Sequence, residues 1–204
     1  MHMRHNSRFS IEVFLETELR DRYGTVKFRQ RKPIRSFLLN WSKALYGMTY
    51  SVANSGVITL ADTGGTGRKF PKLNATSTPF FRFRNASGDT SYGILVGNGT
   101  AEVSLDDCAL ASLIPHGTEI GQLYYYETLT TYFTDSDRTF FHVYRDITNR
   151  SEDSVTVSEI GLAFRHDTPD GAFRFLILRD LLDPAVTLAP GDTYTGRYIF
   201  TFIL

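Results

Sequence analysis

Six strand-like segments between residues 120 and 204 most strongly limit the folds open to this chain. Each segment alternates apolar with polar residues or is mostly apolar, and short runs of turn-forming residues separate the segments. The segments are IGQLYYYETLTTYF, DRTFFHVYRDITN, VTVSEIGLAFRH, AFRFLILRDLL, AVTL and DTYTGRYIFTFIL. This spacing, without long intervening helical patterns, predicts a mainly β chain with an antiparallel β-sandwich of jelly-roll or immunoglobulin-like type.

The segment RTFFHVYRDIT, residues 138–148, predicts a strand that is covered on both sides. Phe140, His142 and Tyr144 fall on one face, and Val143 and Ile147 fall on the other. Both faces therefore carry apolar side chains. We expect a second sheet to cover one face and a neighbouring subunit to cover the other.

The N-terminal part of the chain predicts two strands and one short helix. Apolar residues alternate through 11–15 and 26–28, which indicates an N-terminal arm or hairpin that ends at Pro33. SFLLNWSKALYGM then has helical spacing, with Ser36 as the expected N-cap and Gly47 as the expected terminal glycine.

A second short helix is expected where Ser104 precedes two acidic residues in VSLDDCALASL. The turn signals divide the chain into three regions. Residues 1–47 hold the basic strands and a helix, 48–90 hold glycine-rich loops and short strands, and 91–204 hold the sandwich.

The segment LADTGGTGRKFP, residues 60–71, has the glycines of a phosphate-binding loop but not the rest of its motif. Arg68 and Lys69 follow Gly67, whereas a Walker A loop needs Gly-Lys-Ser/Thr at the start of a helix. Pro71 follows where that helix would run. The segment therefore predicts a mobile loop or the tip of a β-hairpin.

The charge is balanced over the whole chain but not along it. The 22 basic and 22 acidic residues cancel, while residues 1–35 hold nine basic and four acidic residues, a net charge of +5. Three interpretations of this segment are a solvated charged edge, contact with the acidic surface of a neighbouring subunit, and nucleic-acid binding. We expect no nucleic acid, because the segment lacks helix-turn-helix, zinc-site and RNP-like motifs. The basic residues expected at a subunit interface are Arg20, Arg22, Arg29, Arg31, Lys32 and Arg35.

Local motifs for catalysis or metal binding do not occur. The five histidines lack metal-ligand spacing, TDSDR lacks the remainder of a calcium loop, and a Gly-x-Ser-x-Gly elbow is missing. The single Cys108 excludes an internal disulfide and favours cytosolic folding. We expect no enzyme activity, cofactor, metal or membrane span. A glycosidase-type pair of carboxylates is left open, because such residues meet in space and leave no local sequence motif.

Three tyrosines in QLYYYETLTTYF suggest a ligand-binding face. Tyr124, Tyr126 and Tyr132 share one strand parity, and aromatic faces beside carboxylates suit sugar stacking. The alternative for the same residues is packing in a core or an interface.

The C-terminal half resembles the β-rich virion proteins of tailed bacteriophages. The resemblance lies in YGILVGNGTAEVSLDDCALASLIPHG, ITNRSEDSVTVSEIGLAFR, LILRDLL and VTLAPGDTYTGRYIFTF. It implies a structural component of the head, neck or tail, which folds in the host cytoplasm and binds copies of itself and other virion proteins. The alternative is a carbohydrate-binding module for a receptor or cell-surface glycan. We further expect the sandwich to fold without residues 1–35, and assembly to require them.

Overall fold

The structure is a computed structural model, and it describes residues 10–49, 58–70, 81–136, 138–168 and 170–203. The helix is α1 (Leu39–Thr49). The strands are β1 (Ser10–Arg20), β2 (Val26–Pro33), β3 (Ile58–Ala61), β4 (Gly67–Phe70), β5 (Gly93–Gly97), β6 (Tyr124–Thr134), β7 (Arg138–Thr148), β8 (Val155–Thr168), β9 (Gly171–Leu188) and β10 (Thr193–Ile203). Within these ranges no helix is long and apolar enough to cross a membrane.

The strands form two antiparallel sheets and a separate hairpin. The larger sheet has the order β2-β1-β10-β7-β6, the smaller sheet has the order β5-β8-β9, and β3 pairs with β4. The predicted mainly β, antiparallel sandwich fold with a short helix is therefore confirmed. The N-terminal strands β1 and β2 form a hairpin that belongs to the larger sheet.

The main core lies between the two sheets. On the inner face of the larger sheet Leu15 stands opposite Tyr198, and both side chains are buried. The Tyr198 hydroxyl donates to the carbonyl of Ile160 in β8 at 3.4 Å, so the two sheets are in contact across this layer. The alternation predicted for residues 138–148 is also present, because Val143 and Ile147 are completely buried.

A second, smaller apolar layer covers the outer face of the smaller sheet. Its buried members are Leu38, Tyr92, Leu95, Ala163 and Leu176. Helix α1 closes part of this layer, and the Asn40 side chain fixes it by donating to the carbonyl oxygens of Ala61 at 2.8 Å and Leu176 at 3.2 Å.

The glycine-rich segment forms the tip of the β3–β4 hairpin, as predicted. The Asp62 carboxylate accepts hydrogen bonds from the backbone of Gly64 at 3.0 Å and Thr66 at 2.9 Å, and Gly65 has a φ of 79°. Partial burial opposes ionisation of Asp62, but hydrogen bonds from Arg68 and from the turn backbone outweigh it and lower the pKa of this carboxyl.

Helix α1 begins and ends later than the sequence predicts. Ser36 is not its N-cap, because its hydroxyl hydrogen-bonds the Asp180 carboxylate and the next residue, Phe37, bridges to Leu178 in β9. Gly47 lies inside the helix. The chain thus pairs briefly with the smaller sheet before it turns into the helix.

Two predicted strand boundaries also differ. Residues 172–188 were expected to form two strands, but β9 is continuous through Pro184, which is exposed on an edge strand where its missing N–H costs no ladder hydrogen bond. Of the strand predicted at 80–83, Phe80 lies outside the described residues, and Arg82 forms an isolated bridge to Arg165.

Candidate interaction surface

Residues 98–123, between β5 and β6, form a long connection without helix or strand. Connections of this length in a compact protein are commonly functional. The first part of the connection packs on the outer face of the smaller sheet, where Leu110 contacts the second apolar layer, while Ile114 and Leu123 belong to the main core. We call residues 98–113 the buttressed loop, because buried charged side chains hold it in place.

Glu159 is the first of these side chains. It lies in β8, is completely buried, and accepts hydrogen bonds from three loop amides: Gly99 at 3.2 Å, Ala111 at 3.1 Å and Ser112 at 2.8 Å. Both carboxylate oxygens are used, and the two ends of the loop are therefore fixed to one point on the sheet.

Arg179 in β9 is the second. Its Nε donates to Glu159 at 2.8 Å, and its remaining nitrogens donate to the carbonyls of Ala101 at 2.9 Å and Glu102 at 3.2 Å and to the Asp107 carboxylate at 2.7 Å. Burial alone would lower the pKa of Arg179, but the hydrogen bonds to the two carboxylates raise it above its usual value. Each of its three nitrogens has a hydrogen-bond partner although the residue is buried.

These contacts explain why the second predicted helix is not formed. Ser104 begins a turn rather than a helix, with the Asp107 amide donating to the Ser104 carbonyl at 3.1 Å. The Ala111 and Ser112 amides, which a helix would bond to carbonyls four residues earlier, bond instead to Glu159, and Arg179 holds the Asp107 side chain. Tertiary contacts have replaced the local ones.

The loop and helix α1 together expose apolar side chains. Leu105 is 69% exposed, and its carbonyl accepts the Leu39 amide at 2.9 Å, which joins the loop to the start of the helix. Leu39 and Tyr46 are seven residues apart and share a helix face. The loop–helix surface consists of Leu39, Leu45, Tyr46, Val103, Leu105 and Leu113, each at least 36% exposed.

An apolar groove of about 180 Å³ adjoins this surface. Leu95 and Leu176 lie at its base, and Leu110 and Leu113 line it on the loop side. Ser91 also lines the groove, and its hydroxyl is buried without a hydrogen-bond partner among the described residues. The groove extends the apolar area that a binding partner would cover.

Charges of opposite sign flank the loop–helix surface. Arg35 lies four residues before α1 and is exposed, and Lys43 lies in the helix. On the loop side Glu102 and Asp106 are exposed. Exposed charges of both signs therefore lie on the segments that carry the exposed apolar side chains.

The basic residues predicted at a subunit interface mostly find partners within the chain. Arg20 and Arg29 both form ion pairs with Glu18, the Arg29 Nε lying 2.5 Å from the carboxylate. Lys32 donates to the carbonyl of Leu181 at 2.8 Å. The basic strands therefore neutralise acidic side chains of this same chain.

The other three predicted interface residues lie apart from one another. The Arg31 guanidinium lies 4.4 Å from the Phe14 ring centroid on the outer face of the larger sheet. Arg22 lies 6.0 Å from the ring of Tyr23 in the β1–β2 turn. Of the six predicted residues, Arg35 is the one beside helix α1, and the interface role of the set stays a prediction.

The structure brings two of the three predicted tyrosines together. Tyr124 and Tyr126 have ring centroids 5.2 Å apart, and the Arg150 guanidinium lies 3.5 Å from the Tyr124 centroid. Arg150 also donates to the Tyr126 hydroxyl at 2.8 Å. The cation occupies the position that a stacking sugar would take on Tyr124.

Tyr132 lies on the opposite face of the same strand. A bulge between Tyr125 and Thr128 inserts one residue, so Tyr124 stands opposite Thr148 while Tyr132 stands opposite Phe141. The shared parity expected for all three tyrosines is therefore wrong, and a glycan role for Tyr124 and Tyr126 stays a prediction.

Cys108 is half-buried in the buttressed loop. In the part of the chain that the structure describes, histidine, cysteine and carboxylate side chains form no group of three able to hold a metal ion. No protein-family model, curated protein sequence or solved structure matches the chain.

Proposed function

We propose that this chain is a structural subunit of a tailed-bacteriophage virion, and that it assembles by placing its loop–helix surface against a second copy. The observation that carries the proposal is the rigid presentation of exposed leucines by the buttressed loop. Leu105 is 69% exposed, yet the loop around it is held by buried charges at Glu159 and Arg179.

Such a loop favours association because little conformational entropy is lost on binding. Loops and side chains that become ordered at an interface lose conformational entropy, which weakens binding. A loop that is already fixed in the free protein avoids most of this loss. Exposed apolar patches that are bordered by polar residues are typical of protein–protein contact sites.

A second copy is the proposed partner because the same surface carries exposed apolar side chains and exposed charges of both signs. In a two-fold arrangement we expect Arg35 of one copy to meet Asp106 of the other. Opposite charges around an apolar centre give orientation and specificity.

The virion assignment rests on the sequence resemblance, together with the fold class. The resembling segments include YGILVGNGTAEVSLDDCALASLIPHG, which contains the whole buttressed loop, and LILRDLL, which contains the part of β9 with Arg179. The confirmed antiparallel β fold agrees with what that resemblance implies.

The experiment is the mass of the purified protein by light scattering over a range of concentrations. We expect a defined oligomer for the wild-type chain and a monomer for Leu105→Glu. Tyr23→Glu is the matched control, because Tyr23 is 84% exposed on the β1–β2 turn, far from the loop in sequence. Circular dichroism should show the same fold for all three proteins.

A charge exchange tests the two-fold arrangement. Arg35→Glu and Asp106→Arg should each weaken the oligomer, and the double variant should restore it. A wild-type monomer at every concentration, or an oligomer that Leu105→Glu leaves intact, overturns this interface.

A further inference from the structure

The outer face of the larger sheet carries a groove that the proposed assembly surface does not use. It consists of two adjoining cavities of about 150 and 270 Å³, which share Glu16 and Arg197. The groove crosses β1, β10 and β7 on the side of the sandwich opposite the buttressed loop.

Paired charges line the smaller cavity. The Arg197 guanidinium donates to Glu16 at 2.8 Å, and Arg29 and Arg20 hold Glu18. The Arg197 Nε is buried and has no hydrogen-bond partner among the residues that the structure describes. These groups leave both donors and acceptors in fixed positions along the groove.

Aromatic rings on β7 form the other part of the lining. Phe140, His142 and Tyr144 alternate along the outer face, and the ring centroids of Phe140 and His142 lie 5.4 Å apart. Each is partly exposed. The Arg197 guanidinium lies 5.4 Å from the Tyr144 centroid, and both side chains line the smaller cavity.

Asp146 completes the polar set near Tyr144. It is exposed, and its carboxylate accepts the Thr195 hydroxyl at 2.5 Å. A carboxylate held this way keeps further acceptor positions open to solvent. The cavity thus places a carboxylate acceptor, a guanidinium group and an aromatic ring around one small space.

We propose that this groove binds an oligosaccharide, with Tyr144 stacking on a sugar ring and Asp146, Glu16 and Arg197 bonding its hydroxyl groups. Vicinal hydroxyls both donate and accept, which matches alternating carboxylates and guanidinium groups beside a ring. Single-stranded nucleic acid also stacks on aromatic sheet faces, but three of the five guanidinium groups that line the two cavities already pair with Glu16 or Glu18, and the Asp146 carboxylate repels phosphates.

The test is a glycan array of defined neutral and acidic oligosaccharides, followed by titration calorimetry with the oligosaccharide that binds best. Tyr144→Ala and Asp146→Asn should each weaken its binding by about tenfold. Asp146 is exposed, so Asp146→Asn should fold normally. This variant therefore tests the groove even if Tyr144→Ala does not fold. Tyr132→Ala is the matched control, since Tyr132 is exposed on the opposite face of β6.

Three outcomes overturn the proposal. One is an array without any bound glycan, and another is wild-type affinity in Asp146→Asn. The third is binding of a fluorescent single-stranded oligonucleotide that is lost in Tyr144→Ala while glycans do not compete, which would assign the groove to nucleic acid.

Discussion

Arg179 and Glu159 form a buried ion pair, with 2.8 Å between the Arg179 Nε and a Glu159 carboxylate oxygen and with 1% and 0% of the two residues exposed. The two residues lie on adjacent strands, and among the described residues their other side-chain hydrogen bonds all reach the buttressed loop. The pair therefore transmits the rigidity of the smaller sheet to a segment that has no regular structure of its own.

Glu159→Gln should be strongly destabilising. The glutamine side chain has the same size as glutamate. It leaves the buried Arg179 cation without a carboxylate partner. Its amide NH2 group also donates where the carboxylate oxygen accepted hydrogen bonds from loop amides. Breaking a buried pair in this way costs about 3–5 kcal/mol of the free energy of unfolding. Urea denaturation monitored by circular dichroism measures the loss, and hydrogen exchange at Gly99, Ala111 and Ser112 should accelerate.

Glu152→Gln is the matched control for that variant. Glu152 is exposed in the β7–β8 connection, so its neutralisation should change stability by no more than about 0.5 kcal/mol. Equal stabilities for the two variants would mean that the buried pair does not hold the loop.

Arg145→Lys should also destabilise the fold, although the charge is kept. Burial lowers the pKa of the Arg145 guanidinium to about 10, and its donors are all directed at backbone carbonyls. Those carbonyls belong to Ala86, Asp89, Ile94 and Tyr126. A lysine ammonium cannot reach all four, so we expect a loss of about 3 kcal/mol in urea denaturation.

The control for Arg145→Lys is Arg150→Lys, on an exposed arginine that stacks on Tyr124. Its effect on unfolding should stay within about 1 kcal/mol. Comparable losses at both positions would contradict the view that the four carbonyl contacts set the cost at Arg145.

The strand pattern of the C-terminal half was readable from sequence because alternation reports directly which side chains face a core. Phe140 and His142 on one side, with Val143 and Ile147 on the other, need only a two-residue period. The bulge after Tyr125 could not be read, since it depends on how the neighbouring strand pairs. One inserted residue moved Tyr132 to the other face.

The buttressed loop was missed for a related reason. VSLDDCALASL has local helix signals, but the distant Glu159 accepts from its Ala111 and Ser112 amides and the distant Arg179 donates to its Asp107 carboxylate. A sequence signal did exist, because each of these charges interrupts an apolar strand pattern. Two opposite charges in adjacent apolar strands indicate a buried pair, but their loop partners depend on the tertiary fold.

Asp180→Asn should change how stability depends on pH. Burial raises the pKa of Asp180 above its unfolded value near 3.8. Hydrogen bonds from Ser36 and Tyr198 and the nearby Lys32 charge act in the opposite direction but are outweighed. The buried Tyr194 also lies near Asp180. A raised acid pKa favours the protonated folded state, so wild-type stability falls as pH rises from about 4 through the folded pKa. The asparagine variant lacks that loss.

The measurement is urea unfolding of both proteins at intervals from about pH 4 to pH 8. The free energy of unfolding of the variant should rise relative to wild type across the lower part of this range and then level off. Carboxyls with lowered pKa, such as Asp62 and Asp89, have the opposite pH dependence, but both proteins share them and they cancel in the difference. A difference that stays constant with pH would contradict the assignment.

Deletion of residues 1–35 should unfold the chain, contrary to the expectation from its sequence. Strand β1 lies between β2 and β10, and pairs with β10 along its whole length. It buries Val13, Leu15 and Leu19, and each such side chain contributes about 1.5–3 kcal/mol, so their loss approaches the full stability of a typical domain. Thermal unfolding should show no cooperative transition for the truncated chain. Deletion of residues 1–9, which leaves β1 complete, is the control and should keep that transition. If the chain without residues 1–35 melts cooperatively near the wild-type temperature, β1 and β2 are instead a separable arm.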